Sequence, residues 1–282
     1  MQRYHGQLSI ETNTPVESIH VSQSGPAGFP YAVQTSRGTI YARHVVHATN
    51  AFASQLVPGL RKKITGARAH MSAQRPGLGF PDSAGKRSWS IVSGGGFDYV
   101  TQRPSTTEGW QGDLMIGGGF VRSLKQGIDQ VGVYDDGATL DGLTVAHIAG
   151  IFPSIFHPNW GQRASMEEVW SGIIALTGDN LPFVGRLGKS FTGRNIQNLQ
   201  GSSKNTEDSG EWIAAGWSGE GMVWAWLAGS ALGIMIAGRE QEELPEVVGR
   251  PGGALASWLP EELLATNKRL RSADISRLAS QM

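Results

Sequence analysis

A glycine-rich junction around residue 216 limits the possible folds of this chain more than any other feature. The segment Ala214-Ala215-Gly216-Trp217-Ser218-Gly219-Glu220-Gly221-Met222 joins a predicted apolar strand at 213–216 to a predicted apolar helix at 222–237. Its glycines allow a ligand to approach the backbone, and the first-turn N–H groups of a helix have no intrahelical partners. Together with the helix dipole, these groups favour negative charge. The segment therefore predicts a ligand site at a strand-to-helix transition.

The helix that follows this junction has a row of small residues at a spacing of four. The row consists of Gly221, Ala225, Gly229 and Gly233, and residues so spaced share one helix face. We expect this face to pack closely on a sheet or on another backbone. Packing alone could explain the glycines, so that alternative stays open. A membrane span is disfavoured because the apolar run, about 17 residues, is at the lower limit for crossing a bilayer.

The order of predicted elements indicates two sheets of different kinds. Apolar residues 45–48 lead into a predicted helix at 51–56, which is typical of a parallel, doubly covered sheet. Alternating strands with glycine-rich breaks at 64–120 indicate an antiparallel second domain. We therefore expect Val46 and Ala214 to share one sheet built from both ends of the chain. Further strands are predicted at 8–12, 16–21, 31–35, 39–42, 169–176 and 181–184, helical turns at 1–5 and in an amphipathic tail from 260, and a surface loop at 190–210.

Composition excludes several classes of function. The 24 basic and 24 acidic side chains balance, so no overall field favours nucleic acid or an anionic membrane surface as a partner. The absence of cysteine excludes disulfides, thiolate metal sites and a cysteine nucleophile. The seven histidines show no paired metal spacing, so we expect no metal site. The first residues lack an apolar leader segment, and we expect a cytoplasmic protein without a membrane anchor.

Four ordered segments resemble one known family. The strand end His47-Ala48-Thr49-Asn50-Ala51-Phe52, the stretch from Trp170-Ser171-Gly172 to Gly185, and Gly219-Glu220-Gly221-Met222 occur in the same order in the D-amino-acid oxidase/sarcosine oxidase family. Phe97-Asp98-Tyr99-Val100-Thr101-Gln102-Arg103, followed by Gly117-Gly118-Gly119, resembles the substrate-domain strands of fungal-type members. The resemblance extends through most of residues 8–238.

The resemblance implies a fold and a reaction. The fold is mixed α/β (α+β), with an incomplete Rossmann-like FAD-binding domain at 1–58 and 165–240 and an antiparallel substrate domain at 59–164. Residues 241–282 would form a helical tail. The family oxidises a C–H bond next to an amine with FAD, and O2 usually reoxidises the flavin. Small amines or amino acids would be the substrates.

The resemblance also assigns site residues. Val16 corresponds to the position whose backbone meets the adenine, and Ala48, Thr49 and Asn50 to the strand end beside the pyrophosphate and ribityl chain. Asp179 and Gly185 correspond to the flavin-side turn. Gly219, Glu220, Gly221 and Met222 correspond to the pyrimidine edge of the flavin, which is negatively charged when reduced. Tyr99 and Arg103 are candidate substrate contacts, although ordinary strand positions would also explain them. No catalytic base is assigned.

Three departures from the family pattern bear on the function. Ile173-Ile174 replaces an Arg-Pro pair that is frequent in the family, which removes a cation, and the lack of cysteine implies non-covalent FAD. The family begins with a strand and a Gly-x-Gly-x-x-Gly loop that binds the pyrophosphate. Here Gly94-Gly95-Gly96 and Gly117-Gly118-Gly119 both lack a following helix. We therefore expect an N-terminal truncation, with a βαβ unit of about 30 residues or more missing. Two hypotheses result: an FAD-dependent enzyme, or a truncated or diverged non-catalytic module that no longer binds FAD.

Overall fold

A computed structural model describes residues 6–94, 96–105, 112–137, 139–196 and 208–279. The strands are β1 (Val16–Val21), β2 (Tyr31–Thr35), β3 (Gly38–Ala42), β4 (His44–His47), β5 (Ile64–Arg75), β6 (Ser88–Ser93), β7 (Gly96–Gln102), β8 (Leu114–Gly118), β9 (Ser165–Thr177), β10 (Phe183–Leu187) and β11 (Gly210–Ala215). The α-helices are α1 (Ala53–Leu56), α2 (Gly142–Ile155), α3 (Lys189–Thr192), α4 (Gly221–Ile236), α5 (Asn267–Ser272) and α6 (Ser276–Ala279). The predicted helical turn at 1–5 and residues 197–207 of the predicted loop lie outside the described residues.

The chain divides into two compact units. Unit one consists of Met1–Ile64 and Thr177–Met282, and unit two of Thr65–Leu176. Strand β9 lies beside β5 in the antiparallel sheet of unit two. The structure therefore divides the chain differently from the expected ranges, because residues 165–176 belong to the antiparallel unit and the C-terminal tail belongs to unit one. The apolar pattern of β9 does not specify which of the two sheets it joins.

Unit one contains the sheet that carries the candidate site. Its strand order is β10-β11-β4, with β4 parallel to β11 and β10 antiparallel to it. Trp212 on β11 pairs with Val46 on β4, so the prediction that Val46 and Ala214 share a sheet is confirmed. All of β11 is buried. The prediction that the 45–48 strand is doubly covered is wrong: β4 is an edge strand, and Val46 is 46% exposed.

A separate antiparallel meander precedes this sheet. The three strands predicted at 16–21, 31–35 and 39–42 are present as β1, β2 and β3, and they pair in that order. The strand predicted at 8–12 is absent: these residues form no strand, and Leu8 and Ile10 are exposed. Alternating apolar residues form a strand only where a neighbouring strand can pair with them, and no described strand pairs with residues 8–12.

Helix α4 packs on the β10-β11-β4 sheet through one narrow face. Ala228, Ala231 and Leu232 of α4 form a core with Val184 and Ala214 of the sheet. The expectation that the row of small residues makes this contact is wrong, because Ala225, Gly229 and Gly233 are exposed. Among the described residues, no atom lies within 4 Å of a Cβ built at Gly229 or Gly233. The buried face instead carries Ala228, Ala231 and Leu232.

Unit two is the predicted antiparallel domain. Its strand order is β6-β7-β8-β5-β9, and the pairs β6–β7, β7–β8 and β8–β5 are antiparallel. Helix α2 packs on this sheet through Ile148 and Phe152. The side chain of Asp141 caps α2 by accepting a hydrogen bond from the Thr144 N–H, at 2.8 Å.

Candidate functional site

The carboxyl ends of β4 and β11 meet at one side chain, that of Asn50. Its Oδ1 accepts hydrogen bonds from the N–H groups of Gly216, at 3.0 Å, and Trp217, at 3.2 Å. Asn50 has a φ of 46°, in the left-handed region that asparagine tolerates better than most residues. Because β4 and β11 are parallel, both chains leave the sheet at the same edge. Asn50 thus ties the two strand-to-helix transitions together, at the edge where open α/β sheets usually bind ligands.

Residues 216–220 form a tight turn, here called the junction turn. Gly216, Ser218 and Gly219 have φ values of 85°, 47° and 88°. A Cβ at Gly216 would lie 2.6 Å from Thr177 Cγ2, so only glycine fits there. Ser218 is the unusual member, because a non-glycine residue in this conformation needs support from its surroundings. The side chain and backbone of Thr177 provide that support, with Thr177 N donating to Ser218 Oγ at 3.3 Å.

Helix α4 begins directly after the junction turn with uncrowded N–H groups. Glu220 precedes the helix but makes no capping hydrogen bond through its side chain. Its carbonyl accepts from the N–H groups of Val223 and Trp224. The N–H groups of Gly221 and Met222 have no acceptor among the described residues. A Cβ at Gly221 would meet the Trp217 ring only at 3.6 Å, an ordinary contact. Within the described residues, the start of the helix therefore has two free N–H donors of the kind that can bind an anion.

Asp179 is held by the C-terminal tail, residues 241–282. Its two carboxylate oxygens accept hydrogen bonds from Arg269, at 2.8 Å from Nε and 3.1 Å from Nη2. Partial burial raises the pKa of Asp179, but the hydrogen bonds and charge of Arg269 outweigh that effect and keep the pKa below its usual value. The carboxylate of Asp179 is therefore already paired with Arg269. Among the described residues it makes no hydrogen bond to the junction turn.

Gly185 lies in a strand rather than in a turn, so its expected placement is wrong. The turn ends at Pro182, and Gly185 is the middle residue of β10. A Cβ at this position would lie 3.6 Å from the Ala265 amide nitrogen, which is an ordinary contact. The φ of 134°, which side chains disfavour, is therefore the structural reason for a glycine here. Gly185 lines a cavity of about 840 Å³ that also borders Met235 and Ala265.

The remaining assigned residues are distributed over both units. Val16 begins β1 and pairs with Thr35 in the meander. Ala48 and Thr49 are exposed between β4 and Asn50, beside the start of the following helical turns. In unit two, Tyr99 lies on β7 and its hydroxyl donates to Met71 Sδ at 3.2 Å. Arg103 follows β7 and is exposed. The structure thus brings Asn50 together with the junction turn, while Tyr99 and Arg103 belong to the other unit.

A buried ionic cluster supports β4 from inside unit one. Glu211 on β11 accepts a hydrogen bond from His47 on β4 at 2.9 Å, and Arg194 donates to it at 2.6 and 2.7 Å. Arg194 also donates to the Leu56 carbonyl at 2.9 Å. Burial raises the pKa of Glu211, but hydrogen bonds from Arg194 and His47 outweigh it and hold the pKa below its usual value. The sequence analysis does not identify this cluster, because its members are 17 and 164 residues apart in the chain.

Other kinds of site are not apparent in the part of the chain that the structure describes. Within those ranges, no group of three or more His, Cys, Asp or Glu side chains could hold a metal ion. None of the described helices is long and apolar enough to cross a membrane. The Ile173-Ile174 pair lies on β9, where Ile173 packs beside Gly66 of β5.

Comparison with known families decides the classification. Residues 5–233 match the family described as FAD dependent oxidoreductase (DAO). The chain belongs to the FAD-dependent oxidoreductase family. The match includes the junction turn, Asn50 and most of α4, and it ends before the C-terminal tail that contains Arg269.

Solved structures of this oxidoreductase family share the fold. L-proline dehydrogenase from P. horikoshii is 20% identical with a TM-score of 0.52, over 80% of this chain and 50% of that one. Glycine oxidase from Bacillus cereus is 14% identical with a TM-score of 0.53, over 82% and 52%. Glycine oxidase from Geobacillus kaustophilus is 20% identical with a TM-score of 0.52, over 80% and 49%. The chain thus spans about half the length of these proteins. No curated sequence shows significant similarity to it.

The residues of the junction fit part of an FAD molecule. The free N–H groups of Gly221 and Met222 suit an anionic flavin edge, and around Gly219 nothing described lies within 4 Å of a built Cβ, so a ligand can approach the backbone there. The Gly-x-Gly-x-x-Gly loop that would hold the pyrophosphate is not in the sequence. The junction therefore suits the flavin part of the cofactor rather than its pyrophosphate.

Proposed function

We propose that this chain forms the flavin-edge and substrate parts of an FAD-dependent oxidoreductase that oxidises the C–N bond of a small amine or amino acid, with non-covalent FAD reoxidised by O2. The observation that carries the proposal is the junction turn. It places two unpaired N–H groups at the start of a 16-residue helix, and Asn50 fixes the turn to the neighbouring parallel strand.

The chemistry of oxidation would come from FAD, and the protein would supply orientation and electrostatics. The N–H groups of Gly221 and Met222 would donate to the flavin where negative charge develops on reduction. Fixed donors of this kind favour the reduced flavin without needing a charged side chain. The names of the structural neighbours, L-proline dehydrogenase and glycine oxidase, support amino acids as the substrate class.

A second candidate function is a non-catalytic module that does not bind FAD. It is favoured by the missing phosphate-binding loop, which normally supplies several N–H contacts to the pyrophosphate. The exposed apolar face of α4, with Met222, Val223 and Trp226 in solvent, also favours a chain that is incomplete by itself.

A titration with FAD, followed by reduction, separates these functions. The purified chain is titrated with FAD while flavin fluorescence and visible absorbance are recorded, and then glycine, sarcosine or L-proline is added without oxygen. We expect bound flavin to lose its colour with an amine substrate and to regain it when O2 is admitted, with release of hydrogen peroxide.

Glycolate is the matched control substrate, because it replaces the amine of glycine by a hydroxyl. Reduction by glycolate but by none of the amines would contradict C–N oxidation and leave only a flavin-dependent oxidoreductase. A folded chain that binds no FAD at saturating concentration would instead support the non-catalytic module.

A further inference from the structure

We propose that Arg269, in the C-terminal tail, is a positioning residue that holds the junction turn in its binding conformation through Leu181, Thr177 and Ser218. The inference rests on the proposed function, because it treats the junction turn as the flavin-edge site. Arg269 lies beyond residues 5–233, so it is outside the part of the chain that matches the family.

Arg269 is held by several contacts with residues 179–183. Besides its two hydrogen bonds to Asp179, Nη1 donates to the Pro182 carbonyl and Nη2 to the Leu181 carbonyl, each at 2.8 Å. The guanidinium carbon lies 4.3 Å from the centroid of the Phe183 ring. The side chain is only 12% exposed. A planar, bidentate and stacked guanidinium of this kind fixes the geometry of the groups around it.

A directional chain of hydrogen bonds connects Leu181 to Ser218. Thr177 Oγ1 donates to the Leu181 carbonyl at 3.0 Å, the same carbonyl that accepts from Arg269. Because the Thr177 hydroxyl has one proton and uses it there, the 3.2 Å contact between Thr177 Oγ1 and Ser218 Oγ requires Ser218 to be the donor. Ser218 Oγ in turn accepts from the Thr177 N–H at 3.3 Å. Thr177 is fully buried, so water does not replace these bonds.

Ser218, at the end of this series of hydrogen bonds, has the backbone conformation that most needs support. Ser218 has a left-handed φ of 47°, and the next residue, Gly219, has a φ of 88°. These two angles set the direction in which α4 begins and hence the direction of the free N–H groups of Gly221 and Met222. If the Ser218 hydroxyl lost its partners, the strained conformation would lose the contacts that stabilise it. The N–H groups would then sample other directions.

The tail also contacts the turn that contains Asp179 at a second point, Gly178. A Cβ at Gly178 would lie 2.3 Å from the Asp274 carbonyl oxygen, so the tail backbone lies directly against this glycine. Asp274 also accepts from Lys63 at 3.1 Å, and the Ile275 N–H donates to the Lys62 carbonyl at 2.8 Å. The Ala265 N–H, which precedes Arg269 in the tail, donates to the Val184 carbonyl at 2.8 Å. The tail is thus anchored both before and after Arg269, which allows the arginine to act as a fixed point.

Hydrogen exchange of the chain without cofactor tests the proposal. Backbone N–H exchange is measured for peptides that cover residues 216–223, well below the melting temperature, in the unaltered chain and in Arg269→Gln. We expect exchange in this segment to become about tenfold faster or more, the effect of losing charge-assisted hydrogen bonds. Arg271→Gln is the matched control, since Arg271 is an exposed arginine of the same helix, α5; its exchange should equal that of the unaltered chain.

Variants at Thr177 break the chain of hydrogen bonds without touching the tail. Thr177→Val should accelerate exchange at 216–223, while peptides around Arg269 keep their protection. Thr177→Ser, which retains the hydroxyl, should restore slow exchange. Faster exchange spread evenly over unit one in Arg269→Gln, or unchanged exchange at 216–223, would overturn the proposal.

FAD affinity provides the functional measurement. We expect Arg269→Gln to bind FAD about tenfold more weakly than Arg271→Gln, by the same reasoning. Equal affinities would overturn the positioning role even if the turn were looser. If the unaltered chain binds no FAD, the proposed function fails, whereas the exchange comparison still decides whether Arg269 controls the turn.

Discussion

The side chain of Asn50, just after β4, accepts a hydrogen bond at 3.0 Å from the N–H of Gly216, just after β11, and the two residues are 166 positions apart in the sequence. A second bond, from the Trp217 N–H at 3.2 Å, makes the amide oxygen the common acceptor for the first two N–H groups after β11. Few side chains could replace it, since the residue must supply an acceptor and also adopt a left-handed backbone.

Replacing Asn50 should therefore separate hydrogen bonding from packing. Asn50→Ala leaves the buried Gly216 N–H without a partner and should lower the free energy of unfolding by about 1–3 kcal/mol. Asn50→Asp keeps an acceptor in the same place and tolerates the backbone conformation, so it should lose less. Denaturant unfolding of both variants provides the measurement, and equal losses would show that the acceptor is not what matters.

The start of α4 allows a test of cofactor contact with little effect on the fold. The Cβ that Gly221→Val adds would meet the Trp217 ring at 3.6 Å, an ordinary contact, and valine is no worse than glycine in a helix. We expect the melting temperature to stay nearly unchanged while FAD binding is lost. Gly229→Val is the matched control, because it lies on the same helix with open space around it, and it should bind FAD normally. A variant Gly221→Val that binds FAD as well as this control would remove Gly221 from the site.

The buried cluster around Glu211 should be far more sensitive than an exposed ion pair. Arg194→Met leaves a carboxylate that is 2% exposed without its main partner, and such losses typically cost about 3–5 kcal/mol. Arg37→Met removes the partner of Glu11 in a pair that is 62% and 52% exposed, and should cost about 1 kcal/mol or less. Urea unfolding of both variants compares them directly; similar losses would mean that the cluster contributes no more than a surface pair.

The same cluster predicts a dependence on acid. The folded-state pKa of Glu211 lies below its unfolded value, so its stabilising contribution is complete above the unfolded pKa, about 4.3. It is lost as the pH falls through the folded pKa. Glu211→Gln should therefore reduce the loss of stability between about pH 5 and pH 3, measured by denaturant unfolding at each pH. A slope equal to that of the unaltered chain would exclude Glu211 as a source of this dependence.

In unit two, His70 predicts a pH effect nearer neutrality. Burial, followed by the charge of Arg68, lowers its pKa, and its Nε2 accepts the Asp141 N–H at 3.0 Å, which requires the unprotonated ring. Below about pH 6.5, the pKa of histidine in the unfolded chain, the unfolded chain gains a proton that the folded chain resists. The free energy of unfolding therefore decreases as the pH is lowered. His70→Gln, which can still accept this bond, should reduce the fall in melting temperature between about pH 7.5 and pH 5.5. His20→Gln, at an exposed position on β1, should not.

The parts of the fold that follow local patterns could be predicted from the sequence. The apolar run at Val46 and the glycines after Ala214 both signal a strand that leads into a helix, and the two strands do pair. The buried face of α4 could not be predicted, because the helix is apolar on all sides and both Ala225 and Ala228 suit a close contact. Only Ala228 is buried. Which face is covered depends on the sheet beneath the helix, and the spacing of small residues does not encode that.

The candidate site likewise has one part that local sequence predicts and another that it does not. The junction turn has a local signature of glycines at a helix start, and the structure shows a strand, a tight turn and a helix in that order there. Arg269 and Asp179 are 90 residues apart, and each alone is an ordinary charged residue near a turn or a helix end. No periodicity connects them, so their pairing follows only from the folded chain. Gly185 was misplaced for a related reason: a glycine shortly after a Pro resembles part of a turn, whereas here a strand passes close to the tail.

The division of unit one into two chain segments determines the order in which the protein can fold. Pairing β4 with β11 early would close a loop of more than 160 residues, as from His47 to Glu211, and ordering so long a loop is slow. Unit two is continuous and can form first. Its flanking residues Ile64 and Thr177 both lie beside Gly216, within 3.6 Å of a Cβ built there. Folding of unit two would therefore bring the two chain segments of unit one within reach of each other. A destabilising substitution in unit two should then slow formation of the β10-β11-β4 sheet, although it alters no residue of the junction turn.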